Sequence, residues 1–509
     1  MAPPQDAEAL FARGAAALDA GDLAGAEKIF RALVTADPRL HAGWNALSVV
    51  AIRGGDPARA ESYARRALEL DRRNVLYLNN LGVALGELGR FDDAEAELRR
   101  ALKLRPVYPE GLFNLGKVLH KRARLGEALR AYERAYAMNR EFPGLRLALA
   151  SMYQLHARPD KALAVMREFP ALDDRTAAYY ADMLADAEGS DAAIAWMRAV
   201  LASNPGWDRV RYALALALLS CGRWREGWYE YRLRPSVPSP QEDALPARLD
   251  GRHVLLRAEQ GLGDILFFLR FAPALRARGA RVTLQCPAKL AGVLAGTSVL
   301  EGITDDADPR AFDHAVWIGD LPFVLDAAEA PPAFALQGAK ASLASFGPAP
   351  YLALTWRAGT DTLRQREHGN FREALSKEID AASLGKALSG WKGTVLSLQR
   401  NPAAGEIDVL SRVIGSTVHD LAALNEDLPA MLGVLSAVNE YVTVSNTNVH
   451  LIAGLGRQAR VLVPFPPEWR WMRDGAESPW FPGCPLYRQA ASRDWSESLA
   501  RLRRDLRLG

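Results

Sequence analysis

Along its first half the chain repeats one arrangement of apolar and polar positions every 34 residues. Ala26, Ala60, Ala94, Ala128 and Ala162 stand at successive steps of that length. Gly14, Ser48, Gly82, Gly116 and Ala150 keep the same step twelve residues earlier, and Leu33, Ala67, Ala101 and Ala135 keep it seven residues later. Apolar side chains between these anchors recur at the spacing of one helical face. Small residues at fixed phase mark places where two antiparallel helices approach too closely for a larger side chain. The stretches NNLGVALGELGRFDDAEAELRRALKLRP (79–106) and FNLGKVLHKRARLGEALRAYERAYAMN (113–139) each spell helix, short turn, helix. Two weaker copies are predicted near 174–205 and over 206–234. In the last, WREGWYEYRLR carries Gly227 at the small position and several aromatics, as expected of a terminal cap that packs on a following domain.

The period breaks at PSVPSPQEDALPARLDG, where four prolines predict a linker over 235–250. Beyond it, short β-branched runs alternate with helical stretches: HVLLRAE and RVTLQC, then YLALTW (351–356), TVLSLQ (394–399), YVTVS (441–445) and RVLVPF (460–465). Alternation of this kind predicts parallel sheet with helices on both faces. The Pro-, Gly- and Ala-rich segment 331–350 divides the region into two lobes, 251–345 and 346–509. Ligands of such lobes are expected at the carboxyl ends of their strands.

The repeat unit is the tetratricopeptide signature, with about seven copies over 1–234, the last degenerate. Such an array forms a superhelix whose concave face holds a polypeptide, against the plainer alternative of a spacer or a dimerisation surface. Asn45, Asn79, Asn80 and Asn114 fall in the first helices of their repeats, which line that face. They suit hydrogen bonds to a bound backbone, and equally suit a solvated surface.

Composition narrows the class without choosing the chemistry. The chain is 49% hydrophobic and 24% charged, with a formal net charge of +3. Such balance predicts no nucleic-acid partner. Cys221, Cys286 and Cys484 lie far apart, which suits reduced thiols. With no basic-then-apolar leader and no apolar run of membrane-spanning length, the expected location is cytoplasmic.

AEQGLGDILFFLRFAPALRARGARVTL resembles the opening of the glycosyltransferase-B domain found behind tetratricopeptide repeats in bacterial proteins, a domain similar to bacterial heptosyltransferases. NTNVHLIAGLGRQARVLVPFPPEWRWM, followed by SPWFPGCPLYRQ, resembles its nucleotide-binding end. The resemblance implies an all-α repeat superhelix followed by two Rossmann-like α/β lobes, acceptor side first and nucleotide-sugar side second. It further implies a metal-independent, inverting protein O-glycosyltransferase without a cofactor. A nucleotide sugar would be the donor, and Ser or Thr of a protein recruited by the repeats the acceptor. Flagellin is one candidate acceptor. A nonulosonic acid on CMP is one candidate donor. Transfer to a glycan or lipid-linked saccharide, and a catalytically silent repeat adaptor, are the alternatives.

Three clusters could carry that chemistry. Gly261 and Gly263 permit close backbone approach and present N–H groups to an anion. Asp264 beside them is a candidate helix cap. Within the resemblance it is also a candidate catalytic base, with Glu259 as a second acid and Gln260 as a positioning group. In TVSNTNVHLIAGLG (443–456), Ser445, Asn446, Thr447 and Asn448 form a strand-to-helix turn suited to a phosphate. Ser445 stands where the wider family has an acid. His450 is either a phosphate or ribose contact or a helix histidine satisfied internally. The third cluster follows the strand 351–356: Arg357, Arg364, Arg366, His368, Arg372 and Lys377. Arg357 and Lys377 are the best placed to hold a departing phosphate, with Gln399 at the same sheet edge. No metal-binding spacing and no GxSxG turn is present. The loop PPEWRWM (466–472) is expected to be aromatic packing, and the basic helix at the C-terminus to pack back across both lobes.

Overall fold

A computed structural model describes residues 4–169, 171–238, 244–358 and 377–508, with the side chains of residues 4–6 left out. The chain divides into two compact units, Met1–Phe169 and Pro170–Gly509.

The first unit is a series of antiparallel helix pairs: α1 (Pro4–Asp19) with α2 (Leu23–Ala36), α3 (His41–Arg53) with α4 (Pro57–Leu70), α5 (Val75–Glu87) with α6 (Phe91–Leu104), α7 (Pro109–Lys121) with α8 (Leu125–Met138), and α9 (Leu145–Leu155) with α10 (Pro159–Arg167). The small residues of the period sit where expected. A Cβ on Gly82 would lie 2.6 Å from Leu98, and one on Gly116 would lie 2.5 Å from Tyr132. Ser48, fully buried at the equivalent place, donates its hydroxyl to the Ala60 carbonyl at 3.0 Å. Successive pairs are also pinned by ion pairs with the same period. Glu27, Glu61 and Glu95 each meet the arginine four residues on, at 2.9, 2.8 and 2.8 Å. Each also takes an arginine from the next pair: Arg59, Arg90 and Arg124 respectively.

The second unit opens with two more pairs, α11 (Asp174–Glu188) with α12 (Ser190–Ser203) and α13 (Asp208–Ser220) with α14 (Trp224–Tyr231). Two sheets follow, with every strand pairing parallel. β1 (His253–Arg257), β2 (Arg281–Gln285), β3 (Gly302–Thr304) and β4 (His314–Trp317) lie in the order β3-β2-β1-β4. The second sheet contains β5 (Tyr351–Thr355), β6 (Thr394–Ser397), β7 (Val418–Asp420), β8 (Glu440–Val444), β9 (Arg460–Val463) and β10 (Leu486–Arg488), in the order β10-β9-β8-β5-β6-β7.

Alternation along β5 sends side chains to two cores. Leu352, Leu354 and Trp356 pack with Leu384, Leu410 and Leu502, from helices Ala381–Leu388, Glu406–Ile414 and Ser496–Asp505. Ala353 faces the other way, into a core that also holds Leu432 and Val449 of helices Leu428–Ala437 and Thr447–Gly454. The same core contains Val254, Leu256 and Phe267 from the first sheet and its helix, together with Trp228 of α14. The terminal helix Ser496–Asp505 therefore covers one face of the second sheet instead of crossing both lobes. Its Arg503 donates to the Ser389 carbonyl at 2.8 Å, and Arg501 lies on the Tyr487 ring. Segment 331–350 runs against the Leu428–Ala437 and Thr447–Gly454 helices, where Ala341 and Leu336 donate N–H groups to Gly433 and Gly454 at 3.1 and 2.8 Å.

Candidate functional site

The carboxyl end of β1 leads through Glu259 and Gln260 into α15 (Leu262–Phe268). Gly261 is its N-cap residue, and no side chain caps the helix. The cap role considered for Asp264 is therefore not the one its carboxylate takes. That carboxylate instead forms an ion pair with Arg470 of the 466–472 loop. Gly263 lies where α15 packs closely against the Thr447–Gly454 helix. A Cβ there would lie 3.2 Å from the His450 ring and 3.5 Å from the Thr447 backbone. The second glycine thus lets two helix starts, one after β1 and one after β8, lie side by side.

Between them runs Glu468-Trp469-Arg470, whose charged members sequence reasoning assigned to aromatic packing. The tryptophans do pack: Trp469 and Trp471 are buried. The charges between them need partners. Glu468 accepts a hydrogen bond from the Ser445 hydroxyl at 2.6 Å and an ion pair from Lys377 at 2.5 Å. Burial opposes its charge, but Lys377 and Arg470 outweigh that and hold its carboxyl below the ordinary range. Arg470 lies over the rings of Trp469 and Phe267, at 4.6 and 4.7 Å. Arg270, also over the Phe267 ring, donates to the carbonyls of Phe267 and Trp480, both at 2.9 Å. Burial, with the Arg470 charge added, pushes it down to about 9. The sequence signal for this cluster was E-W-R-W itself, in which charges alternate with side chains too large to remain in solvent.

The turn after β8 is built as a helix start. Asn446 caps the Thr447–Gly454 helix, its side chain accepting from the Val449 N–H at 3.2 Å and donating to the Thr443 hydroxyl at 2.8 Å. Thr447 is the first helical residue. Asn448 is buried beside the Tyr441 hydroxyl, which also meets Thr355 at 2.9 Å. His450 is wedged against Phe267 and Phe481. Its Nδ1 is buried without a partner among the described residues, so the internally satisfied alternative does not describe it. Burial, then the charges of Arg470, Arg270 and Lys377, hold the imidazole well below its usual pKa.

Other candidates lie elsewhere in function. Glu259 is not an open acid: its side chain is 2% exposed and pairs with Arg234, while Ser236 and the Gly319 N–H bond to it at 3.0 and 3.2 Å. Arg234 extends the pairing to the fully buried Asp320 at 2.5 Å. Gln260 donates to the Tyr231 hydroxyl at 3.0 Å. Arg357 is held by both oxygens of Glu406, at 2.8 and 3.1 Å, and by Glu378 at 3.4 Å. Gln399 ties the ends of β5 and β6 together. It accepts from the Trp356 and Arg357 N–H groups at 3.0 and 2.9 Å and donates to the carbonyls of Arg357 and Arg400. Arg357 and Gln399 are thus occupied by the scaffold rather than presented to a phosphate. Arg364, Arg366, His368 and Arg372 lie outside the described residues.

In the first unit the asparagines bond to one another across repeats. Asn80 donates to Asn45 at 2.8 Å, Asn114 to Asn79 at 2.9 Å, and Asn79 to Glu110 at 3.1 Å. Asn79 is buried, and the other three are half-buried. Among the described residues no group of three His, Cys, Asp or Glu side chains is arranged to hold a metal, and no helix is long and apolar enough to cross a membrane.

The tetratricopeptide repeat family matches residues 1–41, 45–109 and 80–146. The early part of the chain is a tetratricopeptide array. Protein FlbA of Caulobacter vibrioides is 25% identical over 340 residues, 58% of this chain and 55% of that protein. The chain thus spans about half the length of that curated relative. Among solved structures, PilF of Pseudomonas aeruginosa is 24% identical with a TM-score of 0.35, covering 40% of this chain and 93% of its own. PilW, a type IV pilus biogenesis factor, is 18% identical with a TM-score of 0.38, covering 42% of this chain and 100% of its own.

Proposed function

We propose that the protein is a GT-B glycosyltransferase that modifies a polypeptide recruited by its repeats. The observation that carries this reading is the meeting of Asp264, Lys377, Ser445, Glu468 and Arg470 beside two helix starts that follow strands of two parallel sheets. Carboxyl ends of parallel strands are where α/β folds bind ligands. Asp264 is the candidate base, taking the proton of an attacking Ser or Thr hydroxyl as oxygen bonds to the anomeric carbon and the nucleotide leaves. Lys377 and the Thr447–Gly454 helix start would stabilise the departing phosphate, fixed cationic and dipolar groups serving where other enzymes use a metal. Glu259, Arg357 and Gln399 have no part in this scheme. The donor is a nucleotide sugar, with a CMP-linked nonulosonic acid one candidate, and flagellin is one candidate acceptor.

Intact-mass analysis of flagellin and of other proteins captured by the full chain, with and without the protein, tests the reading. A discrete sugar mass on one captured protein is expected, and it should be absent with Asp264→Asn. Unchanged modification by that variant would remove Asp264 from the mechanism. A second reading, a repeat adaptor without catalysis, is favoured by the pairing of Asp264 with Arg470. Absence of any mass increment would favour it.

A further inference from the structure

Glu468 is placed unusually for a half-buried acid. It comes from the loop after β9, yet both its oxygens are spent on groups at other strand ends: the Ser445 hydroxyl after β8 at 2.6 Å and the Lys377 ammonium at 2.5 Å. Those groups, with the adjacent helix start at Thr447, are the ones assigned above to a phosphate. The carboxylate is a planar anion with two acceptor oxygens, chemically the nearest side-chain equivalent of a phosphate. Neither contact reads as fold maintenance alone. Trp469 and Trp471 already bury the loop, and Ser478 donates to the Arg470 carbonyl at 2.5 Å.

We propose that Glu468 is a built-in competitor for a phosphate-bearing ligand, occupying with its carboxylate the place that the ligand's phosphate takes. The inference rests on the glycosyltransferase reading and adds to it a device that sets donor affinity. Binding requires the Glu468 side chain to turn away from Lys377 and Ser445, which the ligand's oxygens then take over. The device selects for charge: a dianionic phosphate offers Lys377 more than a carboxylate does, whereas a neutral sugar gains nothing by displacing it. It also leaves the half-buried Lys377 ammonium paired when no ligand is present.

Calorimetric titration of the full chain with CMP, UDP and inorganic pyrophosphate, at fixed ionic strength, tests this. Glu468→Gln keeps the shape and removes the charge; Glu468→Ala removes both. Each should bind at least one of these probes about tenfold more tightly than the wild type, while Lys377→Ala binds it more weakly. If the wild type binds a probe and both Glu468 variants bind it equally or less well, Glu468 is scaffold or a ligand contact and the inference fails alone. If neither the wild type nor the variants bind any of the three probes, the nucleotide-sugar reading fails and takes the inference with it.

Discussion

At His450, burial and the charges of Arg470, Arg270 and Lys377 all act against protonation, and among the described residues its buried Nδ1 has no hydrogen-bond partner. An unfolded histidine takes up its proton near pH ~6.5. Below that pH the unfolded chain binds a proton that the folded chain refuses, so stability is fully present above ~6.5 and falls as pH drops through the window beneath it. Glu468 works in a lower window. Its carboxyl is depressed by Lys377 and Arg470, so its contribution is lost only as pH falls below the ordinary carboxylate value. Thermal unfolding of the second unit's transition, followed from pH 7.5 to 5, should show a falling midpoint that His450→Leu flattens. An equal slope in the variant would assign the acid sensitivity elsewhere. Arg234 offers a second residue-level test. Replacing it with methionine strands the carboxylates of Glu259 and Asp320 in the interior and should cost about 3–5 kcal/mol, read as a lowered denaturation midpoint. The sequence presented Glu259 as an acid beside a glycine turn. Nothing local announced that its partner is Arg234, 25 positions earlier, at the end of what read as the last, degenerate repeat. Long-range ion pairing of this kind has no periodicity to reveal it.

Periodicity did reveal the helix pairs, and the structure adds a detail at their turns that keeps the same step. Gly21, Gly55 and Gly89 occupy the turn of the first three pairs with φ of 80°, 72° and 75°, and Ala123 and Ala157 occupy the same step with φ of 58° and 53°. Left-handed backbone costs a non-glycine residue roughly 1 kcal/mol, so Ala123→Gly and Ala157→Gly should each stabilise the first unit by up to about 1 kcal/mol after glycine's entropy is subtracted. A lowered unfolding midpoint in both variants would contradict that account. The sheets were less evenly legible. The strands predicted from apolar runs (β1, β2, β5, β6, β8 and β9) are all interior members of their sheets. The strands missed are β3, β4, β7 and β10, the four edges. Central strands of a parallel sheet are buried on both faces and read as unbroken apolar runs. Edge strands are short and polar, and GIT, HAVW, VHD and LYR have too little pattern to stand out.

For the whole molecule, the division at 169/170 separates the repeats matched as tetratricopeptide from every residue of the candidate transfer site. The second unit's first helix needs nothing upstream for its start. The Asp173 carboxylate accepts from the Thr176 N–H at 2.7 Å, and the Thr176 hydroxyl accepts from the Asp173 N–H at 2.9 Å. This reciprocal cap satisfies the Thr176 and Asp173 N–H groups at the start of α11 from within residues 173–176. Residues 171–509 should therefore unfold cooperatively as a separate protein and bind pyrophosphate or nucleotide with the affinity of the full chain. The same fragment should lose modification of the protein acceptor, because α1–α10 are absent. Free 1–169, added to the full chain, should lower modification by competing for that acceptor. Calorimetry on the fragment and intact-mass analysis in the competition read these two halves independently. If the fragment modifies the acceptor as fast as the full chain, the first ten helices do not recruit it, and the determinant lies within α11–α14 or on the sheets themselves.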